Sequence, residues 1–128
     1  MHKIIIGLFA TAIISGCASN EREQQKQLEA LANNRATVLS TGLPLEEGPL
    51  SIMSARAKGT SIELMMIYNQ EAPGAMPVQQ VYNKTLSDYC SNQEIRSNLD
   101  LGLSYALKMR NHRGQLLVDA LITAQSCQ

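Results

Sequence analysis

Histidine and the large aromatics are scarce in this 128-residue chain: it has no tryptophan, one phenylalanine (Phe9), four tyrosines, and only His2 and His112. With no histidine pair there is no HExxH zinc site, and no nucleophile stands beside a well-placed imidazole. Few aromatics also leave no platform on which bases could stack. Neither sign of charge dominates, with eleven basic and eleven acidic residues, so there is no basic field for nucleic acid. No glycine-rich phosphate loop is present. Glu46 and Glu47 are adjacent, and neighbours in an extended stretch point to opposite sides, which argues against a two-carboxylate hydrolase site. Asp119 lies among apolar residues, where a buried functional carboxylate is one reading, and the expected one is a pair with Arg110 or Arg113 across a hairpin. These absences point away from an enzyme and imply neither cofactor nor metal.

Long hydrophobic runs are missing too. The main apolar segment, residues 4–14, would span far less than a hydrocarbon core of about 30 Å as a helix. It follows Met1-His2-Lys3 and ends in Ile14-Ser15-Gly16-Cys17. Small residues directly before a cysteine are the pattern of a lipoprotein signal, so residues 1–16 read as a cleaved leader and Cys17 as the lipidation site. An ordinary secreted protein cut near Ala18 is the plainer alternative. At about 0.8 kcal/mol per buried methylene, two or three acyl chains would hold the chain firmly on a membrane. Position 18 is alanine, not the aspartate that in other bacterial lipoproteins favours inner-membrane retention. The expected address is therefore the inner leaflet of the outer membrane, facing the periplasm and anchored through Cys17.

Only three cysteines occur, and with Cys17 lipidated, Cys90 and Cys127 are left as an even pair for an oxidising compartment. They are expected to form one disulfide, contributing roughly 3–4 kcal/mol in the chain-entropy model. The remaining 112 residues or so suffice for one small core. Residues 17–23 read as a lipidated polar tether and 24–128 as the domain.

Within the domain, Leu28, Leu31, Ala32, Ala36 and Leu39 recur at helical spacing over residues 22–40, and Gly42 and Pro44 end the pattern. Residues 50–57 and 60–69 read as a hairpin turning at Lys58-Gly59. Ile62, Leu64, Met66 and Tyr68 share one face of the second strand, while Met65 and Ile67 make the other face apolar as well, which predicts cover on both sides, by the domain's own helices or by a partner. After the Pro73-Gly74 loop, residues 77–90 keep a helical period, and Ser91 with Glu94 has capping-box spacing for a short second helix. Residues 101–110 alternate as a strand, Asn111-His112-Arg113-Gly114 turns it, and 115–125 read as its return. The expected fold class is α+β: a small single domain with an antiparallel four- to five-stranded sheet flanked by helices and one disulfide.

Several stretches together carry a family likeness. Arg35-Ala36-Thr37-Val38-Leu39-Ser40, Gly42-Leu43-Pro44, Gly48-Pro49-Leu50, Tyr89-Cys90-Ser91, Leu99-Asp100-Leu101-Gly102, Lys108-Met109-Arg110-Asn111, Arg113-Gly114-Gln115-Leu116 and the final Cys127 resemble the AspS, or GspS-beta, group of type II secretion pilotins. The resemblance implies a non-enzymatic outer-membrane lipoprotein, monomeric before assembly. Such a protein binds the C-terminal S-domain of the secretin as a helix in a groove, and directs the secretin to the outer membrane. Cys17 matches the acylated cysteine, and Cys90 and Cys127 match the disulfide. For the groove, the residues themselves offer Met53, Met65, Ile67, Leu117 and Leu121, apolar side chains left on the second faces of the predicted strands. Cover of that face by the first helix is the alternative. Two other classes stay open: an inhibitor of a periplasmic enzyme such as lysozyme, acting through loop 70–75, and a structural lipoprotein of a secretion apparatus.

Overall fold

Alternating apolar residues in the two central strands organise the domain, which the computed structural model describes over residues 16–128, with side chains from residue 19. The leader expected at 1–16 falls almost entirely outside the described residues, as does the side chain of Cys17. The elements in chain order are α1 (Gly16–Ser40), β1 (Leu45–Glu47), β2 (Leu50–Lys58), β3 (Ser61–Tyr68), α2 (Val78–Ser91), α3 (Gln93–Leu101), β4 (Ser104–Arg110), β5 (Leu116–Ile122) and a closing 3-10 turn (Ala124–Cys127). The five strands form one sheet in the order β1-β2-β3-β4-β5.

The sheet is mixed. Its β1–β2, β2–β3 and β4–β5 pairs are antiparallel, as expected, but the central pair β3–β4 is parallel. The connection explains the exception: α2 and α3 lie between these strands, and a crossover of that length returns the chain to the starting edge, which a tight hairpin cannot do. The register places Ile62 beside Tyr105, Leu64 beside Leu107 and Met66 beside Met109. All six are essentially inaccessible and share a core with Ala32, Ala36, Val81, Leu99, Leu103 and Ile122. All three helices contribute to this one cluster, so they cover one face of the sheet. A bulge at Met53 keeps β2 in step, since Leu50 and Ile52 before it and Ala55 and Ala57 after it all turn toward the core.

Of the two covers expected for β3, the domain's own helices therefore supply only one. Its second face, with Glu63, Met65 and Ile67, meets no helix, and Met65 is 40% exposed. Ion pairs cross that face within the domain: Arg56 donates from Nε and Nη2 to Glu63 Oε1 at 3.0 and 2.8 Å, and Lys108 pairs with Asp119 directly opposite. Asp119 thus does not pair with Arg110 or Arg113. Arg110 donates to the Gly114 carbonyl at 3.0 Å and Arg113 faces Glu71 at 3.5 Å, which fastens loop 70–75 to the β4–β5 turn.

Several element ends also differ from the periodicity. α1 is already helical at Gly16, through the segment read as a tether, because 18–27 contains only helix-compatible polar residues and alanine, with nothing to interrupt it. Residues 19–27 are exposed until Leu28 reaches the core. Ser91 is the last residue of α2, not a cap; the cap of α3 is Asn92, whose side chain accepts from the Ile95 N–H at 3.0 Å. Leu101 ends α3 instead of starting a strand, and β5 stops at Ile122 because the chain must leave the sheet for Cys127 to reach α2.

Gly102 makes the turn out of α3. It sits at φ 112°, a left-handed cap, and a Cβ there would stand 3.3 Å from Leu28 Cδ1 on α1. Gly102→Ala is expected to cost about 1–2 kcal/mol from the backbone alone. A shift of the urea midpoint to lower concentration, with an unchanged slope, checks this.

Candidate binding groove

On the helical side the sheet is not fully roofed. α1 lies across β2 and β3, whereas α2 and α3 pack on each other, on the closing turn and, through α2, on β5. The small Ala32 and Ala36 let α1 settle close on the sheet, and its last turn is pinned there. Ser40 Oγ donates to either of two carbonyl oxygens, those of Ala36 and Ala55, at 2.8 and 2.7 Å. Between the two helical blocks runs a cavity of about 400 Å³. Its walls are Arg35, Val38 and Leu39 of α1, Tyr89 of α2, and Glu94, Ile95 and Asn98 of α3. Ile52, Leu64 and Tyr105 lie at its base, and Thr41, Leu43 and Leu45 line the end where the chain leaves α1.

The lining is mostly apolar. Val38, Leu39 and Leu45 are 56%, 41% and 45% exposed, which places bare aliphatic surface on this rim. Tyr89 and Tyr105 meet edge to face, with ring centres 5.6 Å apart. Burial drives both phenol pKa values up, well above the usual range at Tyr89; at Tyr105 a hydrogen bond from Asn98 Nδ2, at 2.8 Å, opposes that rise. Both rings stay neutral and hold their positions. Arg35 and Glu94 are the charged residues in the lining, with Nη1 3.7 Å from Oε1. No nucleophile stands beside a base here, and among the described residues no group of His, Cys, Asp and Glu could hold a metal ion. The cavity lies within the size range of ligand pockets and can receive side chains of a docked segment.

The residues offered by the sequence fall elsewhere. Met65, Ile67 and Leu121 are on the uncovered face of the sheet, where Lys108, Asp119 and Glu63 interrupt them. Met53 is the exposed bulge residue of β2, and Leu117, at the bulge in β5, packs against the core. The five are not brought together. Leu39, read as part of the core stripe of α1, instead borders the groove. Cys90 and Cys127 are joined, their Cα atoms 5.4 Å apart, and the bond fastens the end of α2, next to Tyr89, to the chain terminus. Among the described residues no helix is long and apolar enough to cross a membrane.

The fold and the groove define a small disulfide-braced α+β domain with a largely apolar opening between its helices, and comparison with known proteins specifies its family. Residues 24–127 match the family model of the type II secretion system pilotin, S protein, so the chain belongs to that protein-transport family. The pilotin AspS of the Vibrio cholerae type II secretion system is 55% identical, with a TM-score of 0.79, over 84% of this chain and 98% of that one. The pilotin EpsS of the Vibrio vulnificus type 2 secretion system is 48% identical with the same TM-score, over 84% and 97% of the two chains. A putative secreted protein from Pseudomonas aeruginosa shares the fold at 16% identity and TM-score 0.68, over 82% and 96%. A search of curated proteins returned no match.

Proposed function

We propose that this chain is an outer-membrane lipoprotein, anchored through Cys17, that takes the C-terminal S-domain of the secretin as a helix in the groove between α1 and α2–α3, and so directs the secretin to the outer membrane and its assembly there. The observation that carries the reading is the groove itself: bare aliphatic residues on a rigid floor, in a chain of the pilotin family. Helix-in-groove docking needs such a strip, because an amphipathic helix presents apolar anchors at i, i+3, i+4 and i+7. A segment that orders on binding loses conformational entropy, so the receiving surface must be preformed. Ser40 and the Cys90–Cys127 bond hold the two sides.

A charge at the aliphatic wall tests this directly. Leu39→Glu is expected to weaken binding of a synthetic peptide of the cognate secretin's C-terminal S-domain by at least about tenfold in calorimetry. The domain should still fold, since Leu39 is 41% exposed. Met65→Asp and Leu121→Asp, on the opposite face, are expected to bind as the wild type does. Loss of binding in those two variants, with Leu39→Glu unaffected, would move the site to the uncovered sheet face.

A further inference from the structure

Among the residues that line the groove, charge is confined to one pair, Arg35 and Glu94. Arg35 enters the groove from α1 with its Nε buried and without a hydrogen-bond partner. Its Nη1 lies 3.7 Å from Glu94 Oε1, beyond hydrogen-bond length, and the Glu94 side chain is 69% exposed. A guanidinium can give five hydrogen bonds in a fixed fork, and a buried donor left unsatisfied is costly. Glu94 meets that demand only at a distance. It stands in the first turn of α3, where the helix terminus favours a negative charge, so it can turn away to solvent without becoming an orphan itself.

We infer that Arg35 is the specificity-determining residue of the groove: it reads a carboxylate on the docked S-domain helix, and Glu94 stands in for that carboxylate while the groove is empty. The inference rests on the groove being the S-domain site. Apolar contacts along Val38, Leu39 and Ile95 give area but little register, since one aliphatic turn fits much like the next. A single guanidinium–carboxylate pair within an apolar cleft fixes both register and direction, because its planar, forked geometry accepts few alternatives. Exchange of the carboxylate on Arg35 costs little on the Glu94 side, which is already largely solvated.

The carboxylate could belong to an Asp or Glu side chain of the docked helix or to the terminus of the secretin tail, and the experiment separates the two. Calorimetry uses the synthetic S-domain peptide, a series in which each Asp or Glu is changed singly to its amide, and one peptide with an amidated C-terminus. Binding is measured to wild type, Arg35→Gln and Glu94→Gln, after thermal melts confirm folding. Arg35→Gln should weaken the wild-type peptide roughly tenfold, and one neutralised peptide should show the same loss against wild type but little further loss against Arg35→Gln. Glu94→Gln should tighten binding about two- to threefold, since it removes a competitor. The inference is overturned if Arg35→Gln stays within twofold, if no single neutralisation matches its loss, or if Glu94→Gln weakens binding as Arg35→Gln does, which would make the pair a brace. Leu39→Glu keeps this result apart from the parent reading: binding unchanged by that variant removes the groove itself, whatever Arg35 does.

Discussion

Replacing Cys90 and Cys127 together with alanine is expected to lower the unfolding free energy by about 3–4 kcal/mol, the chain-entropy value for a loop whose ends are 37 positions apart. For a small domain with a total stability of roughly 5–15 kcal/mol, that is a large share. The structure concentrates the effect. α2 touches the rest of the domain through α3, the closing turn and β5, and it makes no comparable contact with α1. Without the bond, the end of α2 and the terminal turn lose their covalent link, leaving the Thr123–Ser126 capping box and apolar packing to hold the turn. Urea midpoints of the double variant should match those of the reduced wild type. The loss should also reach the groove, because Tyr89 precedes Cys90 and rests edge-on against Tyr105. S-domain peptide affinity is thus expected to fall along with stability. An unchanged midpoint would mean that the unfolded chain already keeps these two ends together.

The disulfide was legible because it depends only on counting cysteines once Cys17 is set aside. The cores of β3 and β4 were legible for a similar reason: Ile62, Leu64 and Met66, and Tyr105, Leu107 and Met109, keep a strict period of two that only the buried side of a strand requires. The parallel pairing of these strands was not legible, since alternation is the same whichever way a neighbour runs. Nor was the groove. An aliphatic residue at helical spacing looks alike whether it meets its own sheet or a visitor, and Leu39 fits the α1 stripe as well as Ala36 does, although Ala36 is buried and Leu39 is 41% exposed. The sequence signal that separates them is size: the alanines Ala32 and Ala36 mark the face of α1 that lies close on the sheet, and the bulkier Val38 and Leu39, 56% and 41% exposed, lie off that contact. The alternation of the strands offers Met65 and Leu121 as spare apolar residues, but their face is divided by Lys108 and Asp119. Ion pairs across adjacent strands can satisfy an open face without a second layer, which an apolar count does not register.

Cys17→Ser is expected to separate the two halves of the proposed role. The variant has nothing to acylate, so the membrane affinity supplied by acyl chains, about 0.8 kcal/mol per buried methylene, disappears entirely. The groove should be untouched: its first lining residue, Arg35, stands several turns along α1 from position 17, and the intervening residues 19–27 are exposed. In calorimetry the unlipidated protein should therefore bind the S-domain peptide as the native domain does. In cells it should remain soluble in the periplasm with its secretin, and the secretin should be depleted from the outer-membrane fraction and fail to form its multimer. Fractionation of a strain carrying only the Cys17→Ser chain reads both outcomes. The exposed residues 19–27 of α1 add a second expectation: with Cys17 acylated as proposed, a polar helix would hold the groove away from the headgroups at a length set by about 1.5 Å per residue. Secretin at wild-type level in the outer membrane of that strain would show that the anchor is dispensable, and would leave the groove as a chaperone site without an escort.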